Sequence, residues 1–189
     1  MSTAASELDV ALRVASAFEE LGIEYALGGS VASALQGEPR ATNDVDFAVR
    51  LDDRHAALLA ATLGPDFDVD EESLRQAIRE RSSHNIFFLP AFLKIDLFVR
   101  GAEPFDQSEL SRRVRVSVEG GSLFVAAPED NLLRKLSWFR LGGEVSDRQW
   151  RDVLGILRVS GAALDRSYLA TWAERLGLAD LLSRALAQA

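Results

Sequence analysis

Three aspartates in two apolar, strand-like segments constrain this chain more than any other feature. Asp44 and Asp46 flank Val45, and Asp96 lies in the apolar run Leu93 to Val99. Side chains two residues apart on a strand point to the same face of a sheet, so Asp44 and Asp46 are expected to share a face. A carboxylate in an apolar strand is costly unless it is paired or bound to a cation. The pattern therefore predicts that Asp96 joins the pair from a neighbouring strand, forming a two-metal site for phosphoryl chemistry.

A short glycine-containing segment precedes the acidic pair. Gly28, Gly29 and Ser30 stand between a predicted strand and a predicted helix. Glycines at such a junction let the backbone approach a phosphate group closely, and the free N–H groups at the start of a helix attract its charge. The Ser30 hydroxyl would add a donor. A simple turn is the alternative, because Gly-Gly-Ser is also a common turn sequence.

The composition excludes several classes of function. Of the 189 residues, 48% are hydrophobic and 26% are charged, as is usual for soluble globular proteins. The chain contains no cysteine, which excludes disulfides, thiolate catalysis and cysteine-bound metals. No apolar run approaches the roughly twenty residues that span a bilayer, so a cytoplasmic protein without a membrane partner is expected. The formal net charge of -8 disfavours an extensive nucleic-acid surface.

The spacing of apolar residues predicts an α/β fold in two parts. Helices are predicted near residues 8–22, 31–35, 52–63, 72–81, 128–142, 146–157, 165–176 and 179–186. Strands are predicted near residues 23–27, 45–49, 85–89, 93–99, 113–118 and 122–125. We therefore expect a mixed β-sheet flanked by helices over residues 1–126, and a C-terminal helical region over residues 127–189 that packs against it.

Four more side chains are candidates for contacts with a bound nucleotide. Lys94 shares a strand face with Asp96, so it either neutralises phosphate or pairs with that carboxylate. Lys135 falls on or beside the apolar stripe of a predicted helix, where it either contacts phosphate or snorkels to the surface. Arg40 and Thr42, just before the acidic pair, either order the loop or touch the nucleotide.

Positive charge is concentrated in two stretches late in the chain. The clusters comprise Arg112, Arg113 and Arg115, and then Arg134, Lys135, Arg140, Arg148 and Arg151. Each cluster is either a solvated face or a local patch for nucleic acid. His55 and His84 are too isolated in sequence for a metal cluster, which favours surface or packing roles.

In order along the chain, these motifs resemble a known family signature. Leu27-Gly28-Gly29-Ser30, then Asp44-Val45-Asp46, then Asp96 are similar to the pattern of the nucleotidyltransferase superfamily with the fold of DNA polymerase beta. The stretch from Gly28 to Phe47 looks most like AbiEii-type and minimal nucleotidyltransferases of bacteria and archaea, and the segments Pro128 to Leu136 and Arg148 to Val153 resemble that group too. The resemblance implies a mixed sheet flanked by helices.

The resemblance also implies a reaction. An acceptor hydroxyl would attack the α-phosphorus of a nucleoside triphosphate, and pyrophosphate would leave. Two Mg²⁺ ions, or Mn²⁺, would be bridged by Asp44 and Asp46, with Asp96 on the ion beside the acceptor. The triphosphate would be held by Gly28, Gly29 and Ser30.

The acceptor and the biological role stay open at this point. A small molecule, a tRNA or a protein hydroxyl would each serve as acceptor, in a toxin–antitoxin or antibiotic-resistance setting, with or without a cognate protein partner. The competing hypothesis is a non-catalytic nucleotide-binding or antitoxin-like module with the same fold. Intact Asp44, Asp46 and Asp96 weigh against that alternative.

Overall fold

A computed structural model describes residues 6–36 and 44–189 of the chain. Seven strands in these ranges form one mixed sheet: β1 (Tyr25–Leu27), β2 (Asp44–Val49), β3 (Phe67–Asp68), β4 (Ser83–Phe88), β5 (Leu93–Val99), β6 (Val114–Val118) and β7 (Gly121–Val125). Their order is β3-β4-β5-β2-β1-β7-β6. The β2–β5 and β1–β7 pairs are parallel and the other neighbours are antiparallel.

The helices of the described ranges are α1 (Glu7–Glu20), α2 (Gly29–Gln36), α3 (His55–Leu63), α4 (Glu71–Glu80), α5 (Pro104–Ser111), α6 (Pro128–Leu141), α7 (Asp147–Ser160), α8 (Arg166–Arg175) and α9 (Ala179–Gln188). None of them is both long enough and apolar enough to cross a membrane. The described residues divide into two compact units, residues 6–31 with 44–126 and residues 32–36 with 127–189, and the division passes through α2.

The sheet of the first unit buries one face under α1. Phe18 of α1 packs against Tyr25 and Phe47 with ring centroids 5.3 Å apart in both cases. The opposite face is covered only in part by α5, where Leu110 packs against Ala26 and Ala48. The remainder of that face, at the starts of β2 and β5, holds polar side chains.

The second unit is built from α6 to α9 and the end of α2. Apolar side chains of α6 and α7 fill its centre, among them the fully buried Leu132, Leu136, Val153 and Ile156. Ser146 caps α7 by accepting a hydrogen bond from the backbone N–H of Gln149 at 3.3 Å, as the capping-box spacing predicts. Asp165 caps α8 in the same way, accepting from Tyr168 at 2.9 Å.

The structure differs from the sequence-based expectations at four elements. Neither α5 nor β3 was predicted, because α5 lacks an apolar repeat and β3 has two residues. Helix α2 begins at Gly29 rather than after the glycines. Strand β6 lies at the edge of the sheet, where Val116 and Val118 are half-buried as its alternation predicts, whereas Val114 is 47% exposed.

Two arginines of the first cluster hold this edge in place. The guanidinium groups of Arg113 and Arg115 lie over the ring of Phe124, at 4.8 Å and 5.1 Å from its centroid. Arg115 also pairs with Glu19 at 3.3 Å. These contacts favour a structural role for both side chains.

Candidate active site

The parallel pairing of β2 with β5 brings the three predicted aspartates onto one face. Asp46 stands directly opposite Asp96, and Asp44 stands directly opposite Lys94. Neighbouring strands in a sheet lie about 4.8 Å apart, so the four side chains occupy one small patch. The patch lies at the starts of β2 and β5, where the Asp96 side chain is 12% exposed and that of Lys94 is 36% exposed.

Lys94 is bound to the carboxylates of this patch. Its Nζ lies 2.8 Å from Oδ2 of Asp96 and 3.7 Å from Oδ1 of Asp44. The hydrogen bond to Asp96 raises the pKa of Lys94 above its usual value, and the charges of Asp96, Asp44 and Asp46 add to the shift. Of the two roles predicted for Lys94, pairing with a carboxylate is the one this structure contains.

Gly29 is fitted closely to Asp46. Its φ is +59°, a backbone conformation that favours glycine. A Cβ added at Gly29 would lie 1.8 Å from Oδ2 of Asp46, so any side chain would displace the carboxylate. Gly28 is different: a Cβ there would meet Asp46 only at 4.0 Å, and its backbone N–H donates to the Asp46 carbonyl at 2.8 Å. Gly29 therefore lets the carboxylate of Asp46 lie against the start of α2.

The donor set suits a hard divalent cation, although its present arrangement is not a metal cage. Across residues 6–36 and 44–189, no three acidic or histidine side chains are grouped so as to hold a metal ion. Lys94 already binds two of the carboxylates, and the third lies against Gly29. The patch contains three carboxylates, and carboxylate oxygens are the ligands that Mg²⁺ prefers. The ligand chemistry of these residues suits the predicted ion, and its binding stays a prediction.

Two side chains that sequence reasoning did not single out extend the patch onto β4. Asn85 stands opposite Asp96, and Phe87 stands opposite Lys94. Both lie on the exposed side of β4, and Phe87 is 41% exposed. Their signal in the sequence is the alternation of residues 83–88, in which every second side chain is buried.

The remaining predicted site residues fall in different places. Ser30 is half-buried in the first turn of α2. Arg40 and Thr42 lie outside the described residues. Lys135 belongs to the second unit, where its side chain is 4% exposed and its Nζ lies 2.8 Å from Oδ2 of Asp152. The ammonium group of Lys135 is therefore withdrawn from water, and its predicted contact with a nucleotide stays a prediction.

Comparisons with known proteins give structural relatives and no sequence relatives. No protein-family model and no curated protein matches the sequence. An antigenic nucleotidyltransferase-like protein from Paracoccidioides brasiliensis matches with a TM-score of 0.56 and 21% identity, over 95% of this chain and 92% of that one. The chain has a nucleotidyltransferase fold. The predicted fold class is confirmed.

An antibiotic-resistance factor, ANT(2'')-Ia, has a similar structure. Its solution structure matches with a TM-score of 0.56 and 12% identity, over 98% of this chain and 96% of that one. Its crystal structure in complex with adenylyl-2''-tobramycin matches with a TM-score of 0.55 and 11% identity, over 90% and 96% of the two chains. Identities this low show a shared fold, so the chemistry of this chain has to be argued from its own residues.

Proposed function

We propose that the protein is a metal-dependent nucleotidyltransferase, which moves a nucleoside monophosphate from a triphosphate to an acceptor hydroxyl. The observation that carries the proposal is the pairing of β2 with β5, which sets Asp46 opposite Asp96 with Asp44 on the same face. The close approach of Asp46 to Gly29 supports it. This contact sets the carboxylate beside the start of α2, and the start of a helix attracts phosphate. Within the superfamily, the AbiEii-type resemblance of the Gly-Gly-Ser and Asp-Val-Asp segments is part of the proposal.

The three aspartates would hold two Mg²⁺ ions. When bound, these ions would neutralise charge on the α-phosphate and on the departing pyrophosphate. The backbone N–H groups of Gly29 and Ser30 would hold the triphosphate at the start of α2. Lys94 would exchange its contact with Asp96 for a phosphate oxygen, because a charge-assisted hydrogen bond to either partner satisfies its ammonium group.

We propose a small hydroxylated molecule as the acceptor. Asp96 borders β4, so an acceptor near it would lie over Asn85 and Phe87. An amide and an exposed aromatic ring suit a compact ligand with both hydrogen-bonding groups and an apolar surface. The structural relative ANT(2'')-Ia was crystallised with adenylyl-2''-tobramycin, an adenylylated small molecule, which supports the same class of acceptor.

The test is transfer of label from each α-labelled nucleoside triphosphate in the presence of Mg²⁺. Hydroxylated antibiotics including tobramycin, a metabolite extract, total tRNA and protein should be offered separately as acceptors. We expect a labelled small molecule. Label on tRNA or protein instead would move the acceptor assignment to that class. Binding of triphosphate without transfer to any acceptor would favour the non-catalytic module.

A matched pair of variants ties the activity to the site. Asp44→Asn removes a carboxylate from the patch, and it should lower transfer by at least about a hundredfold, the scale of losing a preorganised electrostatic contact. Because the Asp44 side chain is 40% exposed and lies 3.7 Å from Lys94, the free energy of unfolding should change by less than about 1 kcal/mol. Asp53→Asn makes the same change at an exposed position of the loop before α3 and should leave transfer unchanged. Equal rates for the two variants would contradict the assignment.

A further inference from the structure

A second concave site lies at the opposite end of the same strands. A cavity of about 380 Å³ is lined by Arg50, Arg81, Arg100, Gly101, Ala102 and Gln107. Cavities of a few hundred cubic ångströms are the size that holds small molecules. Three guanidinium-bearing residues contribute to this lining, and its charged side chains are all arginines.

The topology of the sheet brings the three arginines together. Arg50 directly follows β2, Arg100 directly follows β5, and Arg81 ends α4 just before β4. Since β4 runs antiparallel to β5, its start lies beside the end of β5. Asp44 and Lys94 stand at the other ends of β2 and β5, about six residues and so on the order of 20 Å away. This cavity is therefore distinct from the carboxylate patch.

Two of the arginines are held in place by acidic side chains outside the lining. Arg50 pairs with Glu24, and Nε of Arg100 lies 2.8 Å from Oε2 of Glu109 and 3.9 Å from Oδ1 of Asp106. Glu109 is almost fully buried behind Arg100, with 3% of its side chain exposed. These pairs preorganise the two guanidinium groups.

Arg81 is the least compensated of the three. Its Nη1 donates to the Leu51 carbonyl at 3.3 Å, and among residues 6–36 and 44–189 no carboxylate lies within ion-pair distance of it. Arg81 ends α4 with φ +52°, where glycine would relieve the backbone. The stem of Arg81 passes over Gly101, where an added Cβ would lie 3.8 Å from Cγ and Cδ of the arginine. A strained residue with an available charge at a cavity indicates a binding role.

We propose that Arg50, Arg81 and Arg100 form a site for the phosphate group of a small molecule. A phosphate carries up to two charges and three terminal oxygens, which suits several guanidinium groups better than a single-charged carboxylate does. The proposal does not depend on the proposed transferase activity.

The test is calorimetric titration of the full chain with pyrophosphate, inorganic phosphate and acetate in buffer containing a metal chelator. The chelator removes the metal ions that the carboxylate patch would need to hold a polyphosphate, and the arginine variants separate any binding that remains there from binding at this cavity. Saturable binding of pyrophosphate and phosphate is expected, with acetate much weaker. Absence of saturable binding up to about 10 mM, weaker than a specific site gives, would overturn the proposal. Acetate binding as tightly as phosphate would overturn the assignment to phosphate.

Three variants locate the binding. Arg81→Gln should weaken pyrophosphate binding by at least about tenfold, which is about 1.4 kcal/mol. Arg79→Gln removes the same charge from α4 outside the lining and should bind like the wild type. Equal losses in both would mean a general charge effect and would overturn the site. The Asp44→Asn variant should bind pyrophosphate as the wild type does, even though it should lose transfer activity. The phosphate-site proposal and the transferase proposal can therefore fail independently. If Arg81→Gln fails to fold, Arg81→Gly suits the backbone at φ +52° and replaces it.

Discussion

The geometry of the candidate site depends more on Gly29 than on its neighbour Gly28. The sequence presents the two as equivalent members of a phosphate-binding turn. Of these two glycines, Gly29 alone has a positive φ, and Gly29 alone lies close to the carboxylate of Asp46. A site built around that carboxylate should therefore respond very differently to the two glycines.

Gly29→Ala should destabilise the protein by about 2–5 kcal/mol, because a left-handed backbone costs about 1–2 kcal/mol and overpacking a further 1–3 kcal/mol. Transfer activity should be lost with it, since the Asp46 carboxylate is displaced. Urea unfolding monitored by circular dichroism measures the first effect, and the label-transfer assay measures the second.

Substitutions at Gly22 and Gly28 separate the backbone cost from the overpacking cost. Gly22 has φ +66° with nothing within 4 Å of an added Cβ, so Gly22→Ala should show the backbone cost alone. Gly28→Ala adds a methyl group at ordinary contact distance and should be tolerated better than either. If Gly29→Ala were no more costly than Gly22→Ala, the close approach of Asp46 would not constrain the site.

The helix pair α6 and α7 is joined by a buried ion pair. Lys135 on α6 and Asp152 on α7 lie 2.8 Å apart, with side-chain exposures of 4% and 5%. Removing one member of a buried pair takes a charge-assisted hydrogen bond away from the other in the interior, which is strongly destabilising. The pair therefore makes α6 and α7 depend on each other more than their apolar packing alone would.

Lys135→Ala should lower the free energy of unfolding by about 3–5 kcal/mol, and Lys135→Met with Asp152→Leu should recover most of that loss. Asp180→Asn breaks the exposed contact with Arg140 in the same unit and should have a far smaller effect. Chemical unfolding of these three variants measures the order of their free energies of unfolding. Equal destabilisation by the single and double variants would contradict a buried pair. Transfer activity in the restored double variant would make Lys135 a packing residue, whereas its loss would support a nucleotide contact.

Elements with strong local signals could be predicted, and elements defined by tertiary contacts could not. Residues 93–99 alternate clearly, and Ser146 marks the start of α7 by its own hydrogen bond. By contrast, α5 has an apolar anchor only at Phe105 and Leu110, and β3 owes its two residues to pairing with β4. Helix caps and the periodicity of apolar residues can be recognised in the local sequence, but the pairing of strands from distant segments cannot.

The same limit applies inside the candidate site. The period of two in a strand predicts that Asp44 and Asp46 share a face, and the cost of a bare carboxylate predicts a partner for Asp96. The register that sets Asp46 opposite Asp96 follows from how β2 and β5 pair, which neither segment specifies alone. The positions of Asn85 and Phe87 depend on a third strand in the same way.

The chain as a whole contains two histidines, and both are buried in the first unit. Burial lowers the pKa of His84 below its usual value, with Asp70 opposing the shift. Burial also lowers the pKa of His55, opposed by Asp52 and assisted by Arg54. Nε2 of His84 has no hydrogen-bond partner among the described residues, so protonation there would place an unpaired charge in the interior.

The stability of the protein should therefore fall as the pH is lowered below about 6.5, the ordinary pKa of histidine. Below that pH the unfolded chain binds protons that the folded chain does not, so the free energy of unfolding rises with pH until both states are neutral. The slope is at most about 1.4 kcal/mol per pH unit for each histidine. His55→Gln combined with His84→Gln should flatten the profile between pH 5.5 and 8, measured by urea unfolding at each pH. An unchanged slope in the double variant would show that carboxylates, rather than these histidines, govern the acid sensitivity.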